Sequence, residues 1–283
     1  MTFTEKLTRA VQSSGSVLCA GLDPDPEKIP KPLRDRIPDD GRLIFEFCRR
    51  VIEAVKPHVC AFKPNLAFFE ALGAPGWSAL EQVIDCIPSN RIVIADAKRG
   101  DIGNTAGKYK EAFFDRIGAD AITLNPFMGM DTFEPFMQDP GKAIFVLTLT
   151  SNSGASDFMK RRFEGRASLS QYIAGELSKH QVQSATHLGM VVGATQTLEL
   201  QPVLDAYPDA HLLIPGIGTQ GGSIPDLEIV LENHSGIPII NSSRSILYAG
   251  RDNEDWVRYV TDQACQLKES LKKISSRYAE KTS

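Results

Sequence analysis

The chain has few cysteines, no long apolar run and no excess of basic residues. Its five cysteines, in 283 residues, are odd in number and lack any C-x-x-C spacing, which indicates reduced, mostly buried thiols. No stretch of eighteen apolar residues is present and the amino terminus lacks a signal-peptide core, so we expect a cytoplasmic protein without a membrane partner. The formal net charge of −4 gives no reason to expect a nucleic-acid partner.

Length and apolar patterning predict one (β/α)8 barrel domain over residues 1–283. Short apolar strands recur about every thirty residues and helical patterns follow them, near 104–117 and 253–277 for example. A short helix at 3–13 precedes them, and the tail 278–283 is polar. The predicted strands are Val17–Asp23, Val59–Lys63, one that begins after Arg91, Ala121–Asn125, Ala143–Leu149, Leu188–Gly193, His211–Pro215 and Ile237–Arg244. A doubly wound parallel sheet shares this alternation and is the alternative.

The third strand ends in a run of charge, Asp96-Ala-Lys98-Arg-Gly-Asp101. Asp96 and Lys98 are two residues apart, so in an extended chain their side chains project from the same face. Charges at the end of a buried strand are costly unless they face a cavity and pair with one another. A functional group of charges and a surface ion pair with Asp101 capping the next helix both remain open on this stretch alone.

Polar residues stand at the carboxyl end of nearly every predicted strand, where barrels and open α/β sheets place their active sites. These residues are Asp23, Lys63, Asp96 with Lys98, Asn125, Ser151, Gln220 and Arg244. The set contains no histidine or cysteine, whereas His58, His187 and His211 fall at strand beginnings. A zinc site or a Ser-His-Asp hydrolase is therefore disfavoured.

The segment Gly216-x-Gly218-x-x-Gly221 imitates a dinucleotide-binding fingerprint. No acidic residue closes the next strand, however, so a phosphate site formed after strands seven and eight of a barrel fits the segment better. Glycine backbone can offer N–H groups to phosphate oxygens, Gln220 can reach over them, and Arg244 supplies a bidentate fork.

These motifs resemble orotidine 5′-phosphate decarboxylases of the longer bacterial branch, called type 2. The run Asp96-Ala-Lys98-Arg-Gly-Asp101-Ile-Gly-Asn-Thr105 is similar to that branch's signature. Phe62-Lys63-Pro-Asn, Leu149-Thr-Ser151-Asn, Pro215-Gly-Ile-Gly-Thr-Gln220-Gly-Gly and Arg244-Ser-Ile follow in the family's order. The resemblance covers about Gly15 to Gly250. One departure is Ser153, where related sequences often carry proline.

The resemblance implies decarboxylation of orotidine 5′-monophosphate to UMP and CO₂, the last step of de novo UMP synthesis, without a metal or organic cofactor. It implies an alternating charge network of Lys63, Asp96, Lys98 and Asp101 as the catalytic residues. It also implies a homodimer in which Asp101 and Thr105 complete the partner's site. The substrate-binding residues would be Asp23, Thr105, Asn125, Ser151, Pro215, Gln220 and Arg244.

Two other functions remain open from the sequence. A sugar-phosphate lyase or decarboxylase of the same barrel superfamily shares Asp-x-Lys-x-x-Asp but uses Mg²⁺. Those relatives generally carry an acid at the end of strand two, where Lys63 would repel a cation. The other alternative is a non-catalytic nucleotide-binding barrel, although a mere binder gains little from so costly a charge array.

Overall fold

The computed structural model describes residues 1–194, 197–217 and 222–280. Its eight strands are Leu18–Leu22 (β1), Ala61–Pro64 (β2), Ile92–Arg99 (β3), Ala121–Leu124 (β4), Ala143–Leu149 (β5), His187–Val192 (β6), Leu212–Pro215 (β7) and Pro238–Ser242 (β8). The strands are neighbours in chain order and close into a parallel barrel. The predicted barrel is confirmed, and the doubly wound sheet is excluded.

Twelve α-helices lie within the described part of the chain. They are Phe3–Ser14 (α1), Lys31–Arg34 (α2), Asp40–Val55 (α3), Leu66–Glu70 (α4), Ala74–Asp85 (α5), Gly103–Lys110 (α6), Leu169–Gln181 (α7), Thr197–Ala206 (α8), Ile224–Val230 (α9), Arg244–Leu247 (α10), Trp256–Ser270 (α11) and Lys272–Glu280 (α12). Short 3₁₀ segments follow β4 and β5. None of the helices described is long and apolar enough to cross a bilayer.

Two predicted helices differ from those observed. The pattern over 104–117 predicts one helix, but α6 ends at Lys110 and the chain continues as a π-helix over Glu111–Arg116. The pattern over 253–277 predicts one long helix, but Leu271 separates α11 from α12. Apolar periodicity locates a helical segment without distinguishing i→i−4 from i→i−5 hydrogen bonding, so it could not reveal the π-helix.

Two compact units can be distinguished in the chain, and the barrel strands are divided between them. The first unit consists of Met1–Lys6 and Lys98–Ile240, and the second of Leu7–Ala97 and Asn241–Ser283. In the first, β5 pairs with β6 over most of its length, with one bulge between Leu147 and Leu149. In the second, β1 pairs with β2 and every β1 residue is buried, as its continuous apolar sequence dictates.

A stacked pair of histidines lies at the amino ends of β6 and β7. The rings of His187 and His211 are 4.0 Å apart between centroids. The backbone N–H of His211 donates to Nε2 of His187 at 3.0 Å, and that of Ile237 donates to Nδ1 of His211 at 3.0 Å. Nε2 of His211 therefore carries the proton and donates to the Thr4 hydroxyl at 2.9 Å. Both rings are neutral, because each uses one nitrogen as an acceptor.

Burial keeps both rings neutral at pH values well below the usual pKa of histidine. It lowers the pKa of His187 to about 4. It lowers the pKa of His211 well below the usual range, and the neighbouring His187 and His234 add to the effect. Between the unfolded pKa near 6.5 and the folded value, the unfolded chain binds more protons than the folded one, so stability is lost as pH falls.

We therefore expect the free energy of unfolding to fall by about 3 kcal/mol from His187 alone between about pH 7 and pH 4. His187→Gln keeps an acceptor but does not titrate, so the variant should show a shallower decline over that range. Urea unfolding at a series of pH values measures both slopes, with His180→Gln as the composition-matched control. Equal slopes for wild type and His187→Gln would contradict the assignment.

Candidate active site at the carboxyl ends of the strands

A buried ion pair joins the ends of β2 and β3. Nζ of Lys63 lies 2.6 Å from Oδ2 of Asp96, and the two residues are 4% and 9% exposed. Parallel pairing of β2 with β3 and a bridge between Asn65 and Asp96 fix the two backbones side by side. Asn65 then caps α4, so the chain turns away immediately after the lysine. The predicted neighbours Lys63 and Asp96 thus form a pair that water hardly reaches.

The lysine of this pair is held in its charged form. Burial by itself lowers the pKa of Lys63, but the negative charges of Asp96 and Asp23 and the hydrogen bond to Asp96 outweigh it. The pKa of Lys63 consequently stands above its usual range. Stability from this shift is present below the unfolded pKa of lysine and is lost only at strongly alkaline pH.

Asp23 follows β1 and is held by a tyrosine that the sequence analysis did not identify. The hydroxyl of Tyr248 donates to the backbone oxygen of Asp23 at 2.6 Å and accepts from the N–H of Asp25 at 2.9 Å. The Tyr248 ring stacks on Phe47. Oδ1 of Asp23 is buried and has no hydrogen-bond partner among the described residues. Such an acceptor is ready for a donor such as a sugar hydroxyl.

Arg244 begins α10 directly after β8, and Tyr248 ends that helix, its N–H donating to the oxygen of Arg244 at 3.2 Å. The clamp on Asp23 therefore belongs to the same helical turn as Arg244. β1 and the residue that precedes Arg244 are packed so closely that β1 needs a glycine at position 21. A Cβ on Gly21 would lie 1.9 Å from the Ser243 hydroxyl oxygen.

The backbone of Lys98 departs from extended geometry. Its φ is 48°, in the left-handed region that is unfavourable for residues with a Cβ. Its N–H donates to the hydroxyl of Thr123 in β4 at 2.9 Å. Lys98 is exposed. Lys98 thus lies within β3 with a φ outside the extended region, and that its side chain shares a face with Asp96 stays a prediction.

Asp101 is not the cap of the following helix. The N-cap of α6 is Ile102, which makes no side-chain cap bond, and Oδ1 of Asp101 instead accepts from the Ile102 N–H at 2.8 Å. Asp101 is half-buried, and Thr105 in the first turn of α6 is exposed. The helix-cap interpretation was therefore wrong, and both residues lie at the surface of this chain.

The remaining predicted residues lie beyond β4, β5 and β7. Asn125 accepts from the Phe127 N–H at 3.0 Å through its side-chain oxygen. Ser151 sits against Gly193, where a Cβ would lie 2.7 Å from the Ser151 backbone nitrogen. Pro215 ends β7 and is half-buried. Gln220 lies outside the described residues.

Sequence analysis missed three residues that contact predicted site residues. Tyr248 contacts Asp23, Thr123 contacts Lys98, and Gly193 adjoins Ser151. Only Thr123 carried a signal, as the single hydroxyl in the otherwise apolar strand Ala121–Leu124. Tyr248 and Gly193 act through contacts distant in sequence, which no local pattern encodes. Across the ranges described, no cluster of three or more His, Cys, Asp or Glu side chains is placed to hold a metal ion.

The structure is a closed parallel barrel that carries acidic and basic residues at the carboxyl ends of its strands. This arrangement is typical of (β/α)8-barrel enzymes. The family model described as orotidine 5′-phosphate decarboxylase / HUMPS family matches residues 16–259. An orotidine 5′-phosphate decarboxylase of Herpetosiphon aurantiacus is 45% identical over 247 residues, 87% of this chain and 90% of that protein. The chain belongs to the orotidine 5′-phosphate decarboxylase / HUMPS family.

Solved structures agree with this membership. The OMP decarboxylase of Leishmania donovani superposes with a TM-score of 0.81 at 34% identity, covering 98% of this chain and 99% of that one. The UMP synthase of the same organism gives a TM-score of 0.83 at 35% identity over 97% of this chain. This chain spans 57% of the UMP synthase, so the match concerns one part of a longer protein.

Because the Lys63 pair is buried, removing the charge of Lys63 should destabilise the fold far more than removing the charge of an exposed lysine. Lys63→Met keeps the stem but leaves the Asp96 carboxylate buried without its cation, so we expect a loss of about 3–5 kcal/mol in the free energy of unfolding. Lys108 pairs with Glu111 in solvent, and Lys108→Met should leave stability close to that of wild type. Denaturant unfolding at neutral pH compares the three proteins. Equal stability of the two variants would show that the Lys63 pair is not desolvated.

Proposed function

We propose that the charged residues at the ends of β2 and β3 carry out the decarboxylation of orotidine 5′-monophosphate. The chain is a carboxy-lyase that converts this nucleotide to UMP and CO₂ in pyrimidine biosynthesis. The observation that carries the proposal is the buried ion pair of Lys63 with Asp96 in a barrel of this family. Such a pair is costly to bury and offers little to stability, which supports a chemical role.

Asp96 and Lys98 would act on the reacting carbon. The Asp96 carboxylate would lie beside the substrate carboxylate, where like charge disfavours the bound substrate more than a transition state that is losing CO₂. The C6–carboxyl bond breaks, its electron pair stays on C6, and CO₂ departs. The Lys98 ammonium stabilises that growing charge and then gives its proton to C6, and the amine is reprotonated from water.

Lys63 would keep Asp96 ionised throughout this sequence. Its raised pKa and its 2.6 Å contact with Asp96 support this role, since a permanently charged neighbour stabilises the carboxylate. The charges are arranged when the chain folds, so little reorganisation is needed during the reaction. Asp101 would aim Lys98 in the same way, from the neighbouring subunit.

Substrate recognition would use the other strand ends. The buried Oδ1 of Asp23 suits a ribose hydroxyl, which is a donor, and Lys63 would contact the ribose as well. Ser151 would meet the pyrimidine edge, with Asn125 and Pro215 lining the substrate. Arg244 and Gln220 would bind the phosphate, where a guanidinium provides a bidentate, charge-assisted contact.

We further propose a homodimer and a cytoplasmic location. The surface positions of Asp101 and Thr105, at the entry to α6, support a role in a partner's site rather than in their own. A two-fold interface would make both sites shared in the same way. A single domain over residues 1–283 also remains a proposal.

The Mg²⁺-dependent sugar-phosphate alternative is less well supported. A divalent cation at the end of β2 would meet the ammonium of Lys63, whose raised pKa keeps it positive. The non-catalytic alternative would leave the buried charges without a use.

Lys98→Ala should lose decarboxylation while remaining folded. Removing a positioned general acid costs ~10²–10⁴-fold, and loss of the stabilising charge should add to it. The decrease in orotidylate ultraviolet absorbance measures the rate, and circular dichroism checks the fold. A rate above about a tenth of wild type would contradict the assignment of Lys98 as proton donor.

The same assay with EDTA tests the Mg²⁺-dependent alternative. We expect activity to survive chelation, whereas activity lost on chelation and restored by Mg²⁺ would favour the lyase.

Mixed dimers should recover activity that neither parent has. Asp101→Ala and Lys98→Ala chains should each be nearly inactive, but in a heterodimer one site collects both defects and the other has neither. Random exchange makes about half of the dimers mixed, so roughly a quarter of wild-type activity per site should return. Native mass spectrometry verifies the exchange. Exchange without recovery would place Asp101 in the site of its own chain.

A further inference from the structure

Lys98 has a backbone conformation that the residue would not adopt by itself. Among the described residues it is the one non-glycine with a positive φ, at 48°. In this region the Cβ of an L-residue approaches its own carbonyl oxygen too closely. The conformation persists only where surrounding structure imposes it.

β4 supplies that constraint. The Lys98 N–H donates to Oγ1 of Thr123 at 2.9 Å, and Thr123 is 1% exposed within a strand paired to β5. One residue later, the oxygen of Arg99 accepts from the N–H of Asn125 at 2.7 Å. A Cβ on Gly100 would lie 3.2 Å from the Asn125 oxygen, so the chain there is packed closely against the end of β4.

The two bonds differ in what they fix. The bond to Arg99 is made by backbone alone and forms with almost any side chains. The bond to Lys98 depends on one buried hydroxyl whose β-branched side chain has little rotamer freedom. Because the Lys98 side chain is exposed, the direction of its Cα–Cβ bond decides where its amine can reach.

We propose that Thr123 is a positioning residue for Lys98, acting through the Lys98 backbone and without touching the substrate. The proposal rests on the proposed function in one respect, the role of Lys98 as proton donor to C6. The Thr123 hydroxyl holds the Lys98 backbone in the left-handed region and so sets the direction of the Lys98 Cα–Cβ bond. Without the acceptor, the backbone relaxes towards extended geometry and the ammonium moves away from the carbon it serves.

The chain contains a matched control. Thr186, immediately before β6, also accepts a backbone N–H through its hydroxyl, from Asp139 at 3.0 Å, and is also buried. Thr186 stands at the amino end of its strand, at the end opposite to the predicted functional residues. Thr123→Val and Thr186→Val therefore both remove a bond from a backbone N–H to a buried hydroxyl, at the two opposite ends of the strands. Thr186→Val also removes the bond that its hydroxyl donates to the Phe136 oxygen at 2.6 Å, so it is the more severe structural test.

The experiment compares Thr123→Val, Thr123→Ser and Thr186→Val in the full-length chain. Thr123→Val should lower kcat for orotidylate decarboxylation by roughly 10²-fold, the effect of an acid displaced by about an ångström. Affinity for UMP should stay within about twofold of wild type, because Lys98 acts on the reacting carbon. Thr123→Ser, which retains the hydroxyl, should recover most of the rate. Thr186→Val should lose stability and keep kcat.

A double variant separates this proposal from the proposed function. If Thr123 acts through Lys98, adding Thr123→Val to Lys98→Ala should cause no further loss of rate. An active wild type and an inactive Lys98→Ala protein, together with an unimpaired Thr123→Val protein, would overturn the proposal and leave the function intact. A further loss in the double variant, or Thr123→Ser as slow as Thr123→Val, would also overturn it. Should Thr123→Val not fold, Thr123→Ala against Thr123→Ser carries the same comparison.

Discussion

The ion pair of Lys63 with Asp96 is the interaction on which the rest of the candidate site depends. Two charges lie 2.6 Å apart at the ends of adjacent strands, each almost removed from water. An apolar pair of similar volume would often be as stable or more so, whereas removing one partner leaves a buried charge uncompensated. The fold is therefore stable only when both charges of the pair are present. Because the pairing of β2 with β3 brings the two side chains together, a shift in that register would separate the charges.

Contacts within the fold hold three of the residues that the sequence predicts to be functional. Lys63 is kept charged by its acidic neighbours, Asp23 is held through its backbone by Tyr248, and Lys98 by the hydroxyl of Thr123. In each case the contact is formed when the chain folds and does not depend on a ligand. Preorganised charge is the form of electrostatic catalysis that requires least rearrangement at the moment of reaction.

Sequence reasoning recovered the barrel and most strand ends because both follow from local patterning. The bounds of β5 match the prediction residue for residue, since its apolar run is continuous and polar residues follow it. The left-handed backbone at Lys98 was not predictable, because no glycine marks it and the hydrogen-bond partner of its N–H lies on β4, 25 residues away. The π-helix after α6 escaped for a similar reason, since amphipathic spacing does not specify the hydrogen-bond register.

The two contacts of Tyr248 couple distant parts of the chain. One side chain both ends the turn that begins with Arg244 and holds the backbone of Asp23 from the far end of the sequence. A displacement of the arginine backbone is therefore passed to the aspartate backbone through a single tyrosine. Residues that share such a partner are energetically coupled. Substitutions at these two positions should consequently change the free energy of unfolding by an amount that differs from the sum of their separate effects.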